Sequence, residues 1–258
     1  MSSEFRPQPQ PAPRYREVSI GHAPVAVTEE HGVLHMRSLE PLAELPARLL
    51  DRLVHWARVR PEQTFIAARQ AGGDWRRVSY REMLDSVRAI AQSLLSYGLS
   101  AHKPLALLSG NDIEHLQVAL GAMYAGIPYC PVSPAYALLS QDFAKLRHVC
   151  DLLQPGLVFV SDAAAYQRAI EAVLPAETPL ICVRGQVPGR SQISFASLLH
   201  TPGGAEAEQA FNATGPDSIA KFLFTSGSTK LPKAVITTQR MLCANQQMLL
   251  QTFPVFGE

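Results

Sequence analysis

The sequence carries little charge and almost no net charge. Only 17% of its 258 residues are charged, and 23 basic residues face 22 acidic ones for a formal net charge of +1. Such a balance gives no electrostatic reason to expect nucleic acid or an anionic membrane as a partner. No apolar run is long enough to span a bilayer, and residues 1–17 contain no signal-peptide core. We therefore expect a cytoplasmic protein with neither kind of partner.

Cysteine is also scarce. The four cysteines are scattered and form neither a CxxC pair nor a zinc-like spacing: Cys130, Cys150, Cys182 and Cys243. We interpret them as reduced core thiols of a cytosolic protein. No metal site made by protein side chains is predicted.

Two familiar nucleotide motifs are missing. The sequence contains neither G-x-x-x-x-G-K-[ST] nor G-x-G-x-x-G. Their absence argues against the hypothesis of an ordinary α/β nucleotide-binding protein built on one of those loops.

What the sequence does contain is a regular alternation of strands and helices. Short apolar segments over residues 104–108, 128–132, 157–160 and 179–183 are predicted strands, with helices between them. Buried strands of this kind are typical of a parallel sheet covered on both faces. The predicted fold class is therefore α/β, a parallel sheet with helices on both faces.

Helix starts are indicated by capping residues. Ser79 and Glu82 form the pattern of a capping box, and Asn111 and Ser140 are further predicted caps. His115 and His148 lie within predicted helices and are interpreted as helix-face residues. Residues 184–218 are rich in Gly, Pro, Ser and Ala, and we expect a connector with one short helix over 194–199.

The most informative stretch is residues 221–240. An apolar segment ends in a run of five small residues, Thr225, Ser226, Gly227, Ser228 and Thr229, and Lys230 and Lys233 follow before a second apolar run. The pattern predicts strand, hydroxyl-rich loop, strand. Backbone N–H groups, hydroxyls and a lysine suit the binding of phosphate, whereas an ordinary polar hairpin loop is the plain alternative.

The loop resembles the phosphate-binding signature of the adenylate-forming superfamily, an aromatic residue followed by T-S-G-[ST]-T-G-x-P-K-G. Residues 224–234 read FTSGSTKLPKA and depart from it at Lys230 and Ala234. Residues 78–83, 98–108 and 122–134 are similar to further elements of the superfamily. The resemblance covers about residues 47–250.

One position narrows the resemblance. Most acyl-CoA ligases of the superfamily have Thr-His where this chain has Thr238-Gln239, and residues 233–248 are similar to the bacterial feruloyl-CoA synthetase branch. This resemblance implies ligation of a hydroxycinnamate such as ferulate to coenzyme A, with ATP and Mg²⁺. A fatty acyl-CoA synthetase is the alternative within the superfamily.

The resemblance also implies roles for individual residues. Matching the signature makes the five residues 225–229 phosphate ligands, and it makes Lys233 both a phosphate ligand and a catalytic charge as pyrophosphate leaves. Lys230 stands where glycine is usual, and a lysine would be strained at a position that requires positive φ.

The resemblance further implies that parts of the enzyme are absent from these residues. No Y-G-x-T-[ED] or T-G-D motif for adenine and ribose occurs among them. We therefore expect an inactive N-terminal part of a ligase, or alternatively a non-catalytic remnant or nucleotide-binding module. The expected divisions are a disordered tail (1–14), an extended arm (15–45), a first α/β subdomain (46–200), and a connector with the phosphate-loop segment of an incomplete second subdomain (201–258).

Overall fold

The computed structural model describes residues 23–225 and 231–257, together with Tyr15, Glu17, Val18, Ile20 and Gly21. The chain divides into two compact units, one of Leu45–Cys243 and one that combines Met1–Glu44 with Ala244–Glu258.

Eleven strands and nine α-helices occur in the described part of the chain. The strands are β1 Val25–Glu30, β2 Val33–Ser38, β3 Thr64–Arg69, β4 Trp75–Ser79, β5 Leu105–Leu108, β6 Tyr129–Pro131, β7 Leu157–Asp162, β8 Leu180–Arg184, β9 Gln192–Ser194, β10 Ile219–Thr225 and β11 Lys233–Thr238. The helices are α1 Asp51–Val59, α2 Tyr80–Leu95, α3 Ile113–Tyr124, α4 Pro134–Leu138, α5 Ala144–Leu153, α6 Ala163–Val173, α7 Phe195–Leu199, α8 Ala205–Ala213 and α9 Gln239–Thr252.

The larger unit is built on a seven-stranded sheet with the order β11-β10-β6-β5-β7-β8-β9. Every neighbouring pair is parallel except β10 and β11, which are antiparallel. A separate antiparallel hairpin, β3–β4, precedes α2. The predicted fold class, a mostly parallel sheet within an α/β fold, is confirmed.

Helices cover both faces of this sheet. Successive side chains of a strand point to opposite faces, so each strand contributes to a core on either side. Leu105 and Leu107 of β5 belong to a core cluster shared with α1, α2, α3, α7 and α8. Ala106 and Leu108 of the same strand belong to a second cluster shared with α4, α5 and α6. The continuous apolar sequence of β5 therefore reflects burial on both sides.

The predicted helix starts have mixed outcomes. The Ser79 capping box is confirmed, since Ser79 Oγ accepts from Glu82 N at 3.2 Å and Glu82 Oε2 accepts from Ser79 N at 2.8 Å. The cap predicted at Asn111 is wrong by one residue, because Asp112 precedes α3 and no side chain caps it. Glu114, in the first turn of α3, is paired with Arg76.

Part of the predicted connector is regular structure. The residues between 184 and 218 include β9 and α8 as well as the expected short helix α7. Helix α8 is held by tertiary contacts: Phe211 stacks on Tyr124 with ring centroids 4.2 Å apart, and the Arg48 guanidinium lies over the Phe211 ring. Strand β10 then joins the sheet by pairing with β6. The subdomain boundary near residue 200 stays a prediction.

The smaller unit contains the β1–β2 hairpin, so the expected arm has two strands. Its two-residue turn consists of His31 and Gly32, both with positive φ. The Gln251 side chain accepts from Ala43 N and donates to the Pro41 carbonyl, and Gly21 N donates to the Thr252 carbonyl.

Candidate phosphate-binding site

The hydroxyl-rich loop connects two paired strands. Thr225, the last residue of β10, is the register partner of Lys233, the first residue of β11, and Phe224 is the partner of Ala234. The predicted arrangement of strand, loop and strand is therefore confirmed for its strands. Residues 226–230, which contain four predicted phosphate ligands and Lys230, lie outside the described residues.

The loop begins at a definite edge of the sheet. Strand β10 runs parallel to β6, and β6 runs parallel to β5, so all three strands end at the same edge. Ligands of open α/β sheets bind at the carboxyl ends of the strands. Thr225 is the residue at which β10 reaches this edge.

The packing of β10 fixes the start of the loop. Phe222 and Phe224 pack against the core cluster shared with α5 and α6. Thr225 and Lys233 are both exposed. The strand is thus anchored by its aromatic residues, while a hydroxyl and an ammonium group remain accessible at its end, which is an arrangement able to bind an anion.

A second lysine lies earlier on β10. Lys221 is half-buried, and burial lowers its pKa. Its register partner on β6 is Tyr129. Burial raises the pKa of the Tyr129 phenol to about 12. Lys221 lies four residues before Thr225, so Lys233 is the described lysine that flanks the loop.

The end of the loop contacts helix α5. Pro232 is buried, and its carbonyl oxygen lies 3.0 Å from Nε2 of His148. Leu231 lines a groove of about 460 Å³ together with Tyr136 and Lys145. The sequence predicted a helix-face position for His148 but not this contact. His148 and Pro232 are 84 residues apart, so no local pattern indicates the contact.

Gln239, the residue that pointed to the feruloyl-CoA synthetase branch, is buried and hydrogen-bonded. It is 2% exposed, its Oε1 accepts from Leu49 N at 3.1 Å, and its own N–H donates to the Ser218 carbonyl at 3.0 Å. Gln239 therefore joins the start of α9 to the segment before α1. Its neighbour Arg240 forms two hydrogen bonds of 3.0 Å with Asp217, and this ion pair lowers the pKa of the Asp217 carboxyl.

The other titratable groups singled out in the sequence are His115 on α3 and the four cysteines. His115 Nδ1 lies 2.6 Å from Ser109 Oγ, and burial lowers the pKa of this imidazole. All four cysteines are buried and unpaired, and burial raises the pKa values of Cys130 and Cys150 to about 12. Burial thus disfavours the reactive thiolate form of Cys130 and Cys150.

No group of three or more His, Cys, Asp or Glu side chains among the described residues is arranged to hold a metal ion. No helix in the described ranges is long and apolar enough to cross a membrane.

Known proteins are similar to this chain in sequence or in fold. An indigoidine synthase of Streptomyces lavendulae is 24% identical over 218 residues, covering 84% of this chain and 15% of that protein. A substituted octahydroindenyl-propanoyl:CoA ligase of Rhodococcus jostii is 27% identical over 205 residues, covering 77% and 39%. The crystal structure of a fatty acyl-adenylate ligase from Legionella pneumophila, in complex with acyl adenylate and pyrophosphate, superimposes with a TM-score of 0.58 at 19% identity, covering 79% and 32%.

The chain spans less than two fifths of the length of each of these proteins. The sequence model of one family, described as AMP-binding enzyme, matches residues 53–257. The matched range holds the whole seven-stranded sheet and the hairpin that carries the hydroxyl-rich loop, and on this evidence the chain belongs to the family of AMP-binding enzymes.

Proposed function

We propose that this chain is the part of an ATP-dependent acid ligase that holds the phosphates of ATP. The observation that carries the proposal is the pairing of Thr225 with Lys233, which brings both ends of the hydroxyl-rich loop together at the carboxyl edge of a parallel sheet. The exposed Thr225 and Lys233 supply a hydroxyl and an ammonium group, both of which are donors suited to a phosphate.

In the proposed first step, a carboxylate oxygen attacks the α-phosphorus of ATP and the bond to the β-phosphate oxygen breaks. The products are an acyl-adenylate and pyrophosphate. Thr225 and residues 226–229 donate hydrogen bonds to the β- and γ-phosphates, which keeps the leaving group in line with the attacking oxygen. The Lys233 ammonium compensates the charge that develops on pyrophosphate. By analogy with single oxyanion donors, each such group is worth about 2–4 kcal/mol at the transition state.

In the proposed second step, the thiol of coenzyme A attacks the acyl carbon and AMP leaves, giving the thioester.

Thr225 and Lys233 offer a hydroxyl and an ammonium rather than carboxylates. Mg²⁺ would therefore be held mainly by the phosphate oxygens, whose charge it would offset.

The proposed acid is a hydroxycinnamate such as ferulate, and the support is the similarity of residues 233–248 to the feruloyl-CoA synthetase branch. A fatty acid is the second candidate, favoured by the structural likeness to a protein crystallised as a fatty acyl-adenylate ligase.

The proposed location is the cytoplasm. We also propose that residues 1–258 alone do not complete the reaction, because they contain no adenine or ribose motif of the superfamily.

Phosphate binding is tested by titrating the chain with magnesium pyrophosphate in a calorimeter. Lys233→Ala should weaken binding by about 10- to 100-fold, the range of one charge-assisted hydrogen bond. Lys103→Ala is the matched control, since Lys103 is exposed and precedes β5 at the opposite edge of the sheet. Equal affinities for the Lys233→Ala and Lys103→Ala variants would refute the assignment of the loop.

The acid is tested with protein made from the complete reading frame that contains these residues. Ferulate-dependent release of AMP from ATP supports the hydroxycinnamate, and release with hexadecanoate but not ferulate supports the fatty-acid candidate. No release with either acid supports a non-catalytic remnant. Ferulate-dependent pyrophosphate exchange by residues 1–258 alone would show that the proposed inactivity is wrong.

A further inference from the structure

The end of the hydroxyl-rich loop is held from outside the hairpin. The Pro232 carbonyl lies 3.0 Å from His148 Nε2. Proline has no backbone N–H, so its carbonyl is the one main-chain group through which it forms a hydrogen bond, and a carbonyl can only accept. His148 therefore donates through its Nε2–H group.

The helix that carries His148 is firmly packed. Leu146, Val149 and Leu153 of α5 are buried in the same core cluster against which Phe222 and Phe224 of β10 pack. The strand that enters the loop and the helix that holds its exit thus share one core. The hydrogen bond from His148 joins the exit to the framework that fixes the entry.

A second contact lies beside the first. Leu231, one residue before Pro232, lines the groove formed with Tyr136 and Leu139 of the α4 region and with Lys145 of α5. Two consecutive loop residues therefore lie against the α4–α5 corner. The next residue, Lys233, is the register partner of Thr225.

We propose that His148 is a positioning residue for phosphate binding, an inference that rests on the proposed function of the loop. By holding Pro232, His148 sets the place of Lys233 relative to Thr225 before any phosphate arrives. Preorganisation of this kind reduces the ordering that binding would otherwise require. His148 acts through Pro232 and Lys233, without touching the phosphate itself.

The test compares His148→Ala and His148→Gln with the parent chain. Glutamine keeps an N–H donor on a flexible side chain, whereas alanine removes it. Arg147→Ala is the matched control, because Arg147 lies on the same helix and donates to the Ala172 carbonyl on α6, away from the loop. Two quantities are measured: magnesium pyrophosphate affinity by calorimetry, and the rate at which trypsin cleaves the Lys230–Leu231 bond, by mass spectrometry.

We expect trypsin to cleave the Lys230–Leu231 bond several-fold faster in His148→Ala than in the parent. We also expect this variant to bind pyrophosphate about two- to tenfold more weakly, the range of one neutral hydrogen bond. His148→Gln should recover part of both, and Arg147→Ala should match the parent. The positioning role is overturned if His148→Ala matches the parent in affinity, or if Arg147→Ala has the same effects. If His148→Ala does not fold, an affinity and cleavage rate of His148→Gln equal to those of a His148→Leu variant also overturn it.

Failure of the proposed function gives a different result. A parent chain that binds no pyrophosphate contradicts phosphate binding by the loop, while the cleavage rates still show whether His148 holds Pro232.

Discussion

Replacing Gln239 by leucine removes one hydrogen bond with little change in side-chain size. Gln239 Oε1 accepts from Leu49 N at 3.1 Å, and the side chain is 2% exposed. Leucine cannot accept, so the Leu49 N–H in this half-buried segment loses its partner. An unsatisfied buried donor costs about 1–3 kcal/mol. We expect the free energy of unfolding to fall by about 1–2 kcal/mol, because the apolar replacement offsets part of that cost.

The assay is thermal and urea unfolding followed by circular dichroism. For a chain of this size, each kcal/mol corresponds to about 2–4 °C in Tm, so Gln239→Leu should lower Tm by about 2–8 °C. Gln246→Leu is the control, because Gln246 is exposed on the same helix, and it should stay within about 0.5 kcal/mol of the parent. Equal stability of the two variants would show that the Gln239–Leu49 contact does not stabilise the fold.

Two further predictions concern helix α2. Gly121→Ala adds a Cβ that would lie 2.5 Å from Ile90 Cγ2, so overpacking of about 1–3 kcal/mol should outweigh a gain of about 1 kcal/mol in helix propensity. Urea unfolding should show a destabilised variant, with Gly72→Ala, where the added atom meets nothing within 4 Å, unchanged; a stabilised Gly121→Ala would contradict the close packing. Ser79→Ala should cost about 1 kcal/mol at neutral pH. Hydrogen bonds from the Ser79 N–H and, next, the Ser79 hydroxyl lower the pKa of Glu82 below its ordinary 4.5. Ser79→Ala removes only the hydroxyl, whose share of this stabilisation is complete above 4.5 and is lost as pH falls through the lowered pKa. The stability difference between parent and Ser79→Ala, measured by urea unfolding, should therefore shrink in part in acid, and parallel pH curves would show that the Ser79 hydroxyl does not contribute to the Glu82 linkage.

The parts of the fold that were predictable have local causes. Leu105–Leu108 is continuously apolar because the strand is buried on both faces, and the Ser79 capping box needs only residues three apart. The loop after Thr225 was recognisable because its small hydroxylated residues and Lys233 are consecutive or nearly so.

The missed parts depend on distant residues. Helix α8 follows two glycines, which are typical of loops. Phe211 of α8 stacks on Tyr124, and the periodicity of the sequence does not predict such a tertiary contact. The hydrogen bond from Leu49 to Gln239 joins residues 190 positions apart. The contact of His148 with Pro232 is of the same kind, since it joins residues 84 positions apart.

The central claim is that the segment from Thr225 to Lys233 holds the phosphates of ATP. Hydrogen–deuterium exchange of the chain, with and without saturating magnesium pyrophosphate, tests where the ligand binds. The account predicts slowed exchange in peptides covering residues 222–237, and loss of that slowing in the Lys233→Ala variant at the same ligand concentration. Pyrophosphate that binds while exchange over residues 222–237 stays unchanged would contradict it.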